Sequence, residues 1–149
     1  MAITRKDEAL WHRQMKGRMQ TVDEKRTRLI GLIKALDKDP ALAAGSEAFT
    51  VWIGRAQDLL AELFAEEEAI IGLEWMPETE KRMHLIEHDR LLDLFARIGS
   101  DPIQREKASA LDLCRRLRGE IGNHVARHDL KLRNYAGSDR APEGALLSP

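Results

Sequence analysis

Apolar residues recur at steps of three and four along most of the chain, the spacing of one face of an α-helix. Short segments rich in glycine and proline separate four such stretches. They predict four helices: the first from about Thr21, the second from Ser46 to about Ile71, the third from Pro77, and the fourth from about Ile103 to Tyr135. No segment alternates apolar and polar residues as a strand does, so the pattern predicts an all-α protein.

Short connections between four helices favour an up-down-up-down four-helix bundle, in which consecutive helices run antiparallel. We expect an N-terminal arm over residues 1–18, which could be a short helix or a segment packed on the domain. The bundle is expected over 19–136 and a flexible tail over 137–149. The tail has no apolar period, which is typical of disorder. Thr21 is expected to cap the first helix, with Glu24 as its reciprocal partner.

Polar residues interrupt the apolar face of each predicted helix. They are Arg26 early in the first, Glu67 late in the second, His84 and His88 early in the third, and His124 and Asp129 late in the fourth. Antiparallel packing would bring all of them to the same end of the bundle. Glu66 and Glu68 lie about 100° to either side of Glu67 and are expected to face solvent.

A set of buried imidazoles and carboxylates needs partners, because an unsatisfied buried polar group costs roughly 1–3 kcal/mol. Three histidines and two carboxylates suit a first-row transition metal such as iron, zinc, copper or nickel. The sequence therefore predicts a metal site inside the bundle. Arg26 could point inward at a carboxylate, or its stem could cover apolar surface while the guanidinium reaches water.

Composition narrows the class of protein. With 149 residues, 43% hydrophobic and 33% charged, the chain suits one domain with a real core. A formal net charge of −1 gives no general attraction to nucleic acid or to an anionic membrane. Cys114 is the only cysteine, which excludes an intrachain disulfide and a thiolate metal cluster. No segment approaches the roughly 20 apolar residues of a membrane span, so we expect a soluble, cytoplasmic protein.

Several motifs follow one another in a recognisable order. They are Trp11, residues 19–24 (MQTVDE), residues 29–33 (LIGLI), residues 64–68 (FAEEE), the turn at 75–77 (WMP), His84-x3-His88, and His124-Val-x3-Asp129 with Tyr135. In this order they resemble the hemerythrins and bacterial hemerythrin-like proteins over most of residues 10–135. That family is a four-helix bundle holding two bridged irons with five histidines and two bridging carboxylates.

The resemblance implies roles for individual residues. Glu67 and Asp129 match the bridging carboxylates, and His84, His88 and His124 match the three histidines of one iron. Both histidines of the second iron, the one that binds dioxygen in the family, are replaced, by Arg26 and Leu63.

These replacements predict a mononuclear site. Arg26 would supply positive charge to the two carboxylates in place of the second ion. The expected protein is a hemerythrin-like, non-heme metal-binding protein that handles or senses oxygen or a related small species. Iron is the metal that the resemblance implies, and zinc or another first-row metal also suits the ligands.

Alternatives remain at the level of sequence. Glu120, one turn before His124, could add a carboxylate, and His128, one turn after it, could complete a site of four histidines. A metal-free interaction module would pair Arg26 with Glu67 or Asp129. A mononuclear oxidase or peroxidase-like enzyme would use the same ligands, but no nucleophile with its base and no nucleotide motif indicates enzyme activity. Oxygen or another small diatomic is a candidate partner, and no protein partner is indicated.

Overall fold

The computed structural model describes residues 5–38, 47–73, 76–100 and 110–136. The elements are α1 (Arg5–Lys38), α2 (Glu47–Leu73), α3 (Glu78–Ser100), α4 (Ala110–His124), a π-helical segment (Val125–Asp129) and α5 (Leu130–Ala136). Within these ranges there is no strand, and the prediction of an all-α protein is confirmed.

The first helix is longer than predicted. It begins at Arg5, so the predicted start and N-cap at Thr21 are wrong. The Thr21 hydroxyl donates to the carbonyl of Gly17 at 3.2 Å, the bond that a threonine inside a helix makes to the preceding turn. Met15 and Met19 are buried, and they extend the apolar face of α1 toward the N-terminus. The predicted boundary between arm and bundle at residue 18 therefore falls inside one continuous helix.

The other helix ends lie close to their predicted positions. The Lys81 amide donates to the carbonyl of Pro77 at 3.1 Å, which makes Pro77 the residue preceding α3 rather than its first residue. The second helix continues to Leu73, two residues past the predicted end. Several predicted features lie outside the described residues: the cap at Ser46, the start at Ile103, Trp75, the side chains of Trp11, Cys114 and Tyr135, and the tail over 137–149.

The core is built from the apolar faces of all the helices. α1 packs against α2, α4 and α5, and α2 packs against α3. Two side chains tie the helices together: Trp52 Nε1 donates to the Leu32 carbonyl at 2.8 Å, and Gln57 Nε2 donates to the Phe95 carbonyl at 2.9 Å. Over the ranges that the structure describes, no helix is both long and apolar enough to cross a membrane.

Candidate metal centre

Five ionisable side chains lie inside this apolar core. They are Glu67, His84, His88, His124 and Asp129, and each is 0 to 4% exposed. Glu67 comes from α2, and His84 and His88 come from α3. His124 ends α4, and Asp129 is the last residue of the π-helical segment. All five were predicted as metal ligands from the sequence, and the structure brings them together.

One oxygen of Glu67 is the meeting point of three imidazoles. Its Oε2 atom lies 2.7 Å from His88 Nε2, 3.3 Å from His124 Nε2 and 3.5 Å from His84 Nε2. One ligand atom from each of these four residues lies within 4.8 Å of all the others. Around a tetrahedral ion with bonds of 2.0–2.1 Å, neighbouring ligand atoms are about 3.3 Å apart. The distances from Glu67 Oε2 to His124 Nε2 and His84 Nε2 are close to that spacing, whereas His88 Nε2 lies at hydrogen-bond distance from the same oxygen.

Asp129 joins the cluster from the side of the last helix. Its Oδ1 atom lies 2.9 Å from His124 Nε2 and 3.4 Å from His84 Nε2. In a regular α-helix, residues five apart point about 140° away from each other. Between His124 and Asp129, however, the chain is π-helical, and the Leu130 amide donates to the carbonyl of Val125, five residues earlier. The wider turn lets the two side chains face the same point.

Several polar atoms of the cluster have no hydrogen-bond partner. They include both ring nitrogens of His84, Oε1 of Glu67 and Oδ1 of Asp129, all buried. His84 Nε2 is within ion-pair distance of both carboxylates, but neither contact has the geometry of a hydrogen bond. Because unsatisfied buried groups are costly, a cation among these atoms would stabilise the arrangement. The residues therefore fit a metal ion.

The carboxylates and imidazoles of the cluster shift one another's pKa. Burial raises the pKa of Glu67, but the imidazoles of His124, His84 and His88 outweigh burial and hold that pKa well below its usual value. Burial lowers the pKa of His124, but Asp129 and Glu67 outweigh it and raise the pKa to about 9. The same two carboxylates raise the pKa of His84 against the effect of burial. Protons on His84 and His124 thus balance the carboxylates, and a metal ion would displace these protons.

Arg26 contacts the carboxylate oxygens of Glu67 and Asp129 that face away from the histidines. Its Nη2 atom donates to Asp129 Oδ2 at 2.8 Å and lies 3.6 Å from Glu67 Oε1. Its Nη1 atom donates to Asp23 at 2.9 Å, which anchors the guanidinium within α1. Glu67 and Asp129 each turn one oxygen toward the histidines and the other toward Arg26. Of the two predicted orientations of this arginine, the structure has the inward one, and Leu63 is buried in the apolar core.

Glu68 belongs to the site and was missed by the sequence analysis. Its Oε1 atom lies 3.2 Å from His88 Nδ1, although its side chain is 45% exposed. A neutral imidazole that presents Nε2 to a metal carries its proton on Nδ1, and a carboxylate at that position fixes the ring. Phe64 stacks on the same ring, with centroids 3.8 Å apart and planes 7° from parallel. His88 is therefore held from two sides.

The two further ligand candidates lie in different places. Glu120 Oε2 accepts a hydrogen bond from Arg90 Nη2 at 2.6 Å, within an ion-pair network that includes Glu87, and the structure does not bring it into the cluster. The His128 ring lies beside the cluster, with its centroid 5.1 Å from that of His84 and 5.4 Å from that of His124. Burial and the charges on those two histidines lower the pKa of His128.

The cluster of Glu67, His84, His88 and His124 could hold a metal ion, with Asp129 at its edge. Imidazole and carboxylate ligands are compatible with iron, zinc, copper or nickel. No protein-family model, curated protein or solved structure matches the chain.

Proposed function

We propose that this protein is a hemerythrin-like, up-down-up-down bundle that binds a single metal ion, iron, and handles or senses oxygen or a related small species. The ligands are Glu67, His84, His88, His124 and Asp129. The observation that carries the proposal is the convergence of three imidazole Nε2 atoms within 3.5 Å of one buried Glu67 oxygen.

The position of the Arg26 guanidinium supports a site for one metal ion rather than two. A second ion shared between the carboxylates would need the oxygens that face away from the histidines. Those are Asp129 Oδ2, which accepts from Arg26 at 2.8 Å, and Glu67 Oε1, which lies 3.6 Å from the same nitrogen. A guanidinium stays positively charged at every pH at which the protein is folded, and it carries several hydrogen-bond donors. It can therefore neutralise both carboxylates in place of a second ion.

The ligand count leaves room for a small molecule. Three imidazoles and two carboxylates are five ligands, one fewer than an octahedral ion takes. Bound iron would supply an open coordination position for dioxygen or a similar species. Phe64 and the surrounding apolar core would keep bulk water from the imidazoles, because Phe64 is only 1% exposed and stacks on His88.

A metal-free interaction module is the second candidate, and one observation favours it. The ion pair between Arg26 and Asp129, together with a proton on His124, already balances the charges of both carboxylates. In that case the histidines would serve only as hydrogen-bonding groups inside the bundle.

Elemental analysis of purified full-length protein tests the proposal. We expect about one equivalent of iron per chain, and its loss in His88→Ala. His128→Ala is the matched control, because it removes a neighbouring imidazole that does not converge on Glu67, and it should retain the metal. Two equivalents would contradict a mononuclear site. A folded protein that takes up no metal, even after incubation with ferrous iron, would favour the interaction module.

A further inference from the structure

A small cavity of about 20 Å³ lies beside the metal centre, between α3 and the last helix. It is lined by Met76, Glu80, Met83, His84, His128 and Lys131. A cavity needs roughly 10–15 Å³ to hold one water molecule. This one therefore has room for a single water-sized molecule, and the buried ring of His84 forms part of its wall.

Two atoms without hydrogen-bond partners belong to residues that line this cavity. They are Nδ1 of His84 and Oε2 of Glu80, both buried. Glu80 precedes His84 by four residues on α3, so the two side chains lie on the same face of the helix. The other oxygen of Glu80 lies 3.8 Å from Lys131 Nζ, on α5.

The hydrogen-bonding needs of these atoms are complementary. If His84 presents Nε2 to the metal, its Nδ1 carries the proton and is a donor. The Glu80 oxygen is an acceptor, and a water molecule can accept from the first and donate to the second. Buried waters typically join otherwise unsatisfied polar groups in this way.

We propose that Glu80 is a positioning residue for His84 and acts through one water molecule bound in this cavity. The water accepts the Nδ1 proton of His84 and donates to Glu80 Oε2. His84 would then be oriented as His88 is oriented by Glu68, with a water between ring and carboxylate instead of a direct contact. This inference rests on the proposed metal centre, because it assigns His84 Nε2 to the ion.

The consequence is a dependence of metal affinity on a residue that does not touch the metal. Loss of a carboxylate that orients a ligating histidine typically weakens metal binding 10- to 100-fold. Glu80→Ala should therefore weaken binding of ferrous iron by that factor. Glu80→Gln keeps a side-chain oxygen that can accept from the water, so it should restore most of the affinity.

The experiment measures ferrous iron binding to the full chain under anaerobic conditions, in competition with a chelator. Glu78→Ala is the matched control, because Glu78 lies in the same turn of α3 with its side chain 85% exposed. This control should bind iron as the unsubstituted protein does. If Glu78→Ala weakens binding as much as Glu80→Ala, or if Glu80→Ala has no effect, the proposal is overturned.

A second measurement separates this proposal from the metal proposal. In metal-free protein labelled with ¹⁵N at histidine, at a pH above the titration of the rings, NMR reports which nitrogen of His84 carries the proton. The fraction protonated at Nδ1 should fall in Glu80→Ala and stay constant in Glu78→Ala. If the unsubstituted protein binds no iron, the proposed function fails and this measurement alone decides the role of Glu80. An unchanged fraction in Glu80→Ala would overturn that role.

Discussion

Arg26 and His124 hold opposite oxygens of the same carboxylate. Arg26 Nη2 lies 2.8 Å from Asp129 Oδ2, and His124 Nε2 lies 2.9 Å from Asp129 Oδ1. The side chain of Asp129 is only 4% exposed, so water contributes little to its solvation. The charge of this aspartate is therefore neutralised by the first helix and by its own helix, and both contacts matter for stability.

Replacing Arg26 by methionine should destabilise the metal-free protein. The change keeps the aliphatic bulk but leaves two buried carboxylates facing each other without the guanidinium. Breaking a buried ion pair by removing one partner typically costs about 3–5 kcal/mol in the free energy of unfolding. Urea denaturation monitored by circular dichroism would measure the loss.

Lys25→Met is the matched control for this substitution. Lys25 precedes Arg26 on α1 and contacts Glu62 and Glu66 at 3.6 and 3.8 Å, near the surface. Such surface pairs contribute about 0–1 kcal/mol. Equal losses in the two variants would contradict a special role for Arg26.

The stability of the metal-free protein should fall as the pH rises from about 6.5 to 9. The pKa of His124 in the folded protein is raised from 6.5 to about 9. A raised pKa means that the contribution to stability is fully present below the unfolded value and is lost as pH rises through the folded value. The raised pKa of His84 acts in the same direction. The groups that face His124 are Glu67, His84, His88, His128 and Asp129, with Arg26 behind the carboxylates.

Urea midpoints measured at pH 6.5, 7.5 and 9 would test this dependence. His124→Gln removes the titrating ring and should flatten the slope. Metal affinity should change in the opposite direction and increase over the same interval, because fewer protons compete for the imidazoles. A free energy of unfolding that is constant or increases between pH 6.5 and 9 would contradict the raised pKa of His124.

Glu68→Ala should weaken iron binding 10- to 100-fold, because Glu68 Oε1 lies 3.2 Å from His88 Nδ1 and would orient the ring when Nε2 binds the ion. Glu66→Ala is the control, since Glu66 lies two residues away on α2 and contacts Lys25 instead. Competition with a chelator measures both affinities. Similar losses in the two variants would indicate a general effect of negative charge rather than the orientation of His88.

Deleting Ala126 should leave a folded protein that still binds metal. Ala126 is exposed and lies inside the π-helical segment, where the chain carries one residue more than an α-helical turn. Its removal would place Asp129 four positions after His124 along a regular helix, still on the same face. Helix content by circular dichroism and metal content per chain should both stay close to those of the intact protein.

Deletion of Ala65 is the contrasting case. This alanine is also exposed, but it lies in regular α2, two residues before Glu67. Its removal would rotate Glu67 by about 100° relative to the preceding part of the helix. Metal binding should be lost. Loss of metal in both deletions would mean that the π-helical turn is required as it stands.

The ligands could be found from the sequence because each one interrupts an apolar row of helical period. Glu67 is such a case: its neighbours along the row are buried leucine and isoleucine, so its own burial follows from position. The inward direction of Arg26 could be stated only as one of two options, since a long side chain can reach either water or a carboxylate.

Other features depend on contacts between distant residues or on local backbone geometry. Glu68 contacts a histidine 20 positions away, which no spacing on α2 reveals. The early start of α1 was missed because residues 5–14 include several charged side chains and few apolar ones. The π-helical turn leaves one indirect sign, a separation of five between His124 and Asp129 where four would suit a regular helix.

The contact between Arg26 and Asp129 also bears on how the protein folds. The two residues are 103 positions apart, and the remaining ligands come from the helices between them. Closing so long a loop costs entropy, so we expect the centre to assemble after the helices have packed. Interactions absent from the folding transition state slow unfolding and leave the folding rate almost unchanged. We therefore expect a bound ion to slow unfolding, and so to lengthen the lifetime of the native state, without changing the folding rate.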